Sequence, residues 1–219
     1  TIMINGEAVD STNHSVAKVT GKIIPASKWW GLDIQCDSVD IGLIDFWTHT
    51  FFSNPQGRAF GDVHISGQEY KTWVTATLLG KNAQITIPQL GSTFYFSDSV
   101  FLDSTSIRLP HIQVYDSEGN RGVFDGTITH TYFRDFHYNL NVNVDNILAM
   151  NLPYEPQALF YGKVYGSGNV NIKGNDYECH IGVNARTEAN SKFYLSVNTA
   201  SLAANTSFIK LKKNDTHSN

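Results

Sequence analysis

From Phe136 to Asp145 the chain alternates strictly: Phe136, Tyr138, Leu140, Val142 and Val144 interleave with His137, Asn139, Asn141, Asn143 and Asp145. A period of two puts the first set on one face of an extended segment and the second on the other, which predicts a strand with one dry and one wet face. The same period recurs at Tyr177, Cys179, Ile181, Val183 and Ala185 against Glu178, His180, Asn184 and Arg186, at Phe193, Leu195 and Val197, and more briefly at Leu32, Ile34 and Cys36. Both cysteines thus fall on apolar faces, as small buried hydrophobes do. Between such runs stand Asp116-Ser117-Glu118-Gly119-Asn120, Ser53-Asn54-Pro55-Gln56-Gly57 and Gly174-Asn175-Asp176. These carry the residues of tight reversals and predict antiparallel meanders. Two stretches leave the rhythm, Ile41 to Phe52 and Asp145 to Leu152. Ile44, Trp47 and Phe51 share helical spacing, so short helices or turns are expected there.

The pattern also repeats. Gly61-x-Val63-x-Ile65-x-Gly67-x-x-Tyr70 matches Gly168-x-Val170-x-Ile172-x-Gly174-x-x-Tyr177 without a gap, an offset of 168 minus 61, or 107. Asp10-Ser11 matches Asp116-Ser117 at 106 and Gly21-Lys22-Ile23 matches Gly126-Thr127-Ile128 at 105. Trp30, Leu32, Ile34 and Cys36 then fall on Phe136, Tyr138, Leu140 and Val142. Collinear matches with little drift predict a tandem duplication, residues 1–106 and 107–219. One-faced strands cannot bury their apolar side alone, so such repeats stack or the sheet curls. The expected fold is all-β: an elongated, curved antiparallel sheet, an open trough built from two repeats that stack as one continuous sheet, with short helical turns. The opening Thr1 and the polar stretch from Lys210 to Asn219 fit a piece of a longer array.

One face between residues 160 and 172 reads Phe160, Gly162, Val164, Gly166, Gly168, Val170 and Ile172. Glycines there either let a sheet bend sharply or leave room for a ligand.

Composition supports strands over helices and narrows the partners. Hydrophobic residues make up 41% and charged residues 16%, the latter below the roughly 25% of ordinary soluble domains. A net charge of -4 and no Lys/Arg cluster beyond Lys210, Lys212 and Lys213 argue against nucleic acid. No apolar run reaches the roughly 18–20 residues of a membrane helix. Cys36 and Cys179 match no metal or redox spacing, and neither is expected in a disulfide. The eight histidines include no H-x-H or H-E-x-x-H, so no metal and no cofactor is expected. His64, His137 and His180 occupy wet-face positions. Asp98, Asp103 and Asp116 read as turn formers, and Gly166-Ser167-Gly168 sits inside a strand pattern with no helix after it. With no nucleophile elbow, phosphate loop or paired carboxylates, no catalytic residue is assigned and the chain is not expected to be an enzyme.

Three runs together resemble the TamB family, the translocation and assembly module proteins, in their Bacteroidetes form. They are Leu109-Pro110-x-Ile112-x-Val114-Tyr115-Asp116-x-Glu118-Gly119 with Gly126, Phe133-Arg134-Asp135-Phe136-x-Tyr138-x-Leu140, and Phe160-Tyr161-Gly162-Lys163-Val164-Tyr165-Gly166-x-Gly168-x-Val170. Ser207-Phe208-Ile209 adds to them. The resemblance implies a large periplasmic protein anchored in the inner membrane, related to AsmA-like and bridge-like lipid carriers. It implies strands rolled into a long trough and a partner of the BamA-like (TamA-type) outer-membrane barrel class, engaged through the full-length chain. Barrel assembly, protein secretion and phospholipid transport are the implied roles. The amino-terminal anchor and the carboxy-terminal region that meets the barrel are expected to lie outside this chain.

Both readings converge on one candidate site, an apolar groove lined by Tyr138, Leu140, Val142, Val144, Val164, Val170, Ile172, Cys179, Ile181 and Val183. Its expected occupants are phospholipid acyl chains or nascent outer-membrane protein strands. The alternative is a cell-surface β-solenoid or sandwich that holds a glycan on Trp29, Trp30, Trp47 and Trp73.

Overall fold

The computed structural model describes residues 1–45 and 52–196. Its strands follow one another as β1 (Ile2–Val9), β2 (Ser15–Ile24), β3 (Trp29–Asp40), β4 (Ser53–Gln68), β5 (Lys71–Ile87), β6 (Ser92–Phe96), β7 (Ser99–Leu102), β8 (Ser106–Asp116), β9 (Arg121–Thr131), β10 (Arg134–Leu152), β11 (Phe160–Asn175), β12 (Cys179–Thr187) and β13 (Lys192–Leu195). They form one 13-stranded antiparallel sheet, so the all-β expectation holds. β6 and β7 are halves of one crossing between β5 and β8, broken where the Gly80 amide donates to the Asp98 carbonyl. β12 and β13 divide the edge of β11 in the same way.

Among the described residues, 3-10 turns stand at Pro25–Ser27 and Ile41–Ile44, the second followed by helical Asp45. The second falls in a stretch where the lost rhythm predicted one, and the Asp40 carboxylate caps it by accepting from the Gly42 amide at 2.7 Å. Trp47 and Phe51 lie outside the described residues. The other predicted break, Asp145 to Leu152, is corrected: it is strand, part of β10. A bulge with Asn146 at φ 53° separates Val144, opposite Gly168, from Ile147, opposite Gly166. The extra residue shifts the side-chain parity, which makes alternation disappear from the sequence while pairing continues. Ser53–Gly57 is likewise not a turn but the start of β4, with two register shifts, Asn54 at φ 53° and Gly57 at φ 118°. Asn and Gly tolerate positive φ in bulges as readily as in turns.

Nearly complete burial concentrates where the sheet bends back on itself. The Asn151 amide of β10 donates to the Leu90 carbonyl after β5 at 2.8 Å, although β8 and β9 stand between β6 and β10 in the sheet. Ser92, Asp116, Ile147, Leu148 and Met150 are buried in this region. At the opposite strand ends, Trp73 of β5 meets Tyr132 of the β9–β10 connection edge-on at 5.7 Å. These two contacts join elements that are not sheet neighbours, so the sheet is curved.

Registers in the two halves correspond. Gly21 stands opposite Leu32 and Leu32 opposite Ile65; Gly126 stands opposite Leu140 and Leu140 opposite Ile172. A bulge follows Cys36 opposite Gly61 and another follows Val144 opposite Gly168. Leu32 therefore takes the place of Leu140, two residues beyond its sequence alignment with Tyr138. The β9–β10 connection is longer: Ile128 pairs with Tyr138, 10 residues on (138 minus 128), whereas Ile23 pairs with Trp30, 7 on (30 minus 23).

The cysteines are unbridged, but only Cys36 is buried. Cys179 is exposed, which corrects the expectation of two buried thiols: β12 pairs only with β11 among the described residues, so its apolar face gains little cover. Burial, with the nearby charges of Asp62 and Asp37, pushes the Cys36 thiol up. One thiol of the native protein is expected to react with a thiol reagent promptly and the second only after unfolding. Equal native rates, or no reaction after unfolding, would contradict this placement.

Candidate functional site

Nine of the ten candidate lining residues come together on adjacent strands. Tyr138 stands opposite Gly174 and, across it, Cys179; Leu140 aligns with Ile172 and Ile181; Val142 aligns with Val170 and Val183; Val144 lies opposite Gly168. Val164 sits apart, opposite Met150, past the β10 bulge and toward the buried end. Alternation explains the assembly: antiparallel pairing without a register shift keeps like faces together.

The apolar face extends well beyond these residues. One row runs Ile34–Val63–Ala76–Leu102–Ile107–Ile128–Tyr138 across seven strands with no charged residue in it. Sequence reasoning stopped short of its middle, although Val74, Ala76 and Leu78 alternate with Thr75 and Thr77. A depression of about 650 Å³ crosses β2 to β5 and β7 beside Ile34, Val63 and Ala76, but the residues around it are mostly polar ones of the wet face, among them Lys18, Gln35, Asp62, His64, Thr75 and Thr77. Most of the lining is half-buried, while Ile181 and Val183 remain 63% and 65% exposed. Apolar surface left open in this way forgoes about 25 cal/mol per Å², and contiguous patches of it mark binding surfaces.

The wet face satisfies itself. Asn171 donates to the Asn141 side-chain oxygen at 2.8 Å and Asn169 to that of Asn143 at 3.0 Å. His64 pairs with Asp33 at 2.6 Å across β3 and β4. Among the described residues no three His, Cys, Asp or Glu side chains are grouped to hold a metal ion, and no helix is long and apolar enough to cross a membrane.

The tryptophans proposed for a glycan are engaged elsewhere. Trp29 lies under the Lys22 ammonium at 5.2 Å, Trp30 covers Gly67 and Trp73 contacts Tyr132. Trp47 lies outside the described residues. Among the described residues the most exposed aromatics are instead Tyr70 and Tyr177, 94% and 95% exposed, in the β4–β5 and β11–β12 connections.

Asp116 has a part that its reading as a turn former missed. The residue is 3% exposed, and its carboxylate accepts from the amides of Glu118, Asn120 and Leu148 and from the Asn120 side chain. It thus ties the β8–β9 turn to β10, two strands away. Burial pushes its pKa up, but the Asn120, Leu148 and Glu118 hydrogen bonds prevail and hold it below the ordinary carboxylate value. Beside it Glu118 joins Lys163 and Tyr165 of β11.

Residues 111–219, about half of the chain, match the TamB C-terminal domain. The chain belongs to the TamB family. No curated protein and no solved structure matches it. All ten candidate lining residues fall within the matched stretch, which corrects the expectation that the carboxy-terminal region lies outside this chain. TamB membership ties the protein to outer-membrane biogenesis, to the cell envelope and to a family that works with TamA-type partners.

Proposed function

We propose that this TamB segment offers an apolar groove to phospholipid acyl chains or to unfolded outer-membrane protein strands. The charge-free row from Ile34 to Tyr138, with the adjoining row of Leu140, Ile172 and Ile181 beside its end, carries the proposal. Acyl chains and barrel strands both need an apolar path without charges, because burying an unpaired polar or charged group costs several kcal/mol. In this reading the segment works in the periplasm, its parent is held in the inner membrane, and a TamA-type barrel is the partner of the full-length chain. The segment binds and guides without catalysing a reaction. Its two halves are a duplicated unit, a reading supported by the matching Gly–Leu–Ile ladders and bulges.

The test is Val142→Asp in the full-length parent, with Asn141→Asp on the wet face as control. Because Val142 is half-buried, the new carboxylate reaches water, and the expected loss of stability is limited to about 1–3 kcal/mol. The lining variant should stay folded, lose co-purifying phospholipid or bound barrel strands, and weaken the outer-membrane barrier. A folded Val142→Asp protein that keeps cargo and barrier, or equal damage from Asn141→Asp, would defeat the groove.

A further inference from the structure

His130, the penultimate residue of β9, is 4% exposed and serves no part of the apolar lining. Its ring stacks on Phe133 at 4.3 Å and lies 5.8 Å from Phe136. The Phe133 amide donates to Nδ1 at 3.3 Å, and the His130 amide donates to the Thr105 carbonyl at 2.8 Å. One residue therefore fastens the β9–β10 connection to the β7–β8 connection. With Nδ1 accepting, the neutral ring carries its proton on Nε2, and Nε2 is buried without a hydrogen-bond partner among the described residues. The fastened connection is strained: Tyr132, Phe133 and Asp135 stand at φ 51°, 60° and 51°. Non-glycine residues in this region each cost on the order of 1 kcal/mol or more and persist where surrounding contacts hold them.

We propose that His130 is a proton-operated latch: the neutral imidazole holds the β9–β10 connection in its strained form, and the imidazolium releases it. A second proton has to go to Nδ1, which then cannot accept from the Phe133 amide, and it places a charge among Phe133 and Phe136. Among the described residues the one acid that pulls on this charge, Asp103, is committed to other partners. Asp103, in the β7–β8 connection, is already occupied by the amides and hydroxyls of Thr105 and Ser106, which hold its pKa near 2, and Arg108 lies 3.9 Å from it. Lys71 of β5 sits over the Tyr132 ring at 5.9 Å and adds positive charge on that side, while Arg134 and Asp135 belong to the connection itself. Burial lowers the His130 pKa, against the opposing pull of the Asp103 charge. The neutral form is thus the folded form. Stability from the latch is complete above the ordinary histidine value of about 6.5, falls as pH drops below it, and levels off once the folded imidazole is itself protonated. Ile128 and Tyr138, the last pair of the seven-strand apolar row, adjoin this connection, so acid loosens the sheet where that row reaches the strand ends. The latch stands whatever the groove carries.

Hydrogen exchange of the whole chain, corrected for intrinsic rates, tests the latch when combined with an NMR titration of the His130 ring. Between pH 7 and 5 the amides of residues 132–135 should lose protection by about tenfold or more. That loss should track the ring's titration below 6.5, and His130→Phe, which keeps the stacking, should abolish the pH step. His130→Gln, neutral and still able to accept from the Phe133 amide, gives the same readout if the Phe variant does not fold. Protection that is constant across the range, or a step that survives in the substituted protein, overturns the proposal.

Discussion

Asp116→Asn is expected to lower the unfolding free energy by about 2–4 kcal/mol, measured as the shift of a urea midpoint at pH 7. The amide keeps the size of the carboxylate but turns an NH₂ toward backbone amides that need an acceptor. Leu148, 2% exposed and bonded to Asp116 at 2.6 Å, has no water to replace the lost bond. Asp10 provides the control, since it makes the same turn by accepting from the Thr12 and His14 amides on an exposed surface; Asp10→Asn should shift the midpoint far less. A pH series carries the same information. Asp116 is depressed in the fold, so its contribution is full above the ordinary aspartate value of 3.8 and disappears as pH falls from there through the folded value. Equal shifts from the two variants would show that Asp116 only forms its turn and does not anchor β10.

Gly168→Val is expected to cost about 3 kcal/mol or more and to detach β12 from the sheet. Gly168 is held at φ 148°, and a Cβ there would collide with the Asn184 carbonyl and the Ala185 backbone on the neighbouring strand. Gly61→Val should be comparably damaging, because Gly61 stands at φ 131° with Thr77 in the same position. Gly6→Val tests whether the damage is specific: nothing lies within 4 Å of its added Cβ, and a β-branched residue suits a strand, so a small change in either direction is expected there. Circular dichroism and urea unfolding of the three variants decide the matter. A Gly168→Val protein as stable as the parent would mean that close approach of β12 is not what the glycine serves. Of the two readings left open for the glycine-rich face, these contacts favour bending and close strand approach over room for a ligand.

The hydrophobic pattern by itself determined the class of fold and which apolar positions of neighbouring strands share a face. Period-two alternation at Tyr138–Val144 and Cys179–Val183 needs no partner to be recognised, and regular antiparallel pairing brings such faces together wherever the register does not slip. The family, too, was legible, in runs around Leu109–Gly119, Phe133–Leu140 and Phe160–Val170. Sequence failed where one residue breaks the period. At Asn146 and across Ser53–Gly57 the chain stays in the sheet through bulges, and the same Asn and Gly residues that make bulges also make turns. Burial was equally out of reach: Cys36 and Cys179 have the same local pattern, yet one has strands on both sides and the other stands on the last strand of the described sheet. Only the tertiary structure decided that Asp116 is more than a turn residue, that His130 is enclosed without a partner for Nε2 among the described residues, and that Leu90 meets Asn151. Those three facts arise from curvature, which brings residues tens of positions apart into contact through the summed twist and bulging of many strands, and no local alternation encodes that sum.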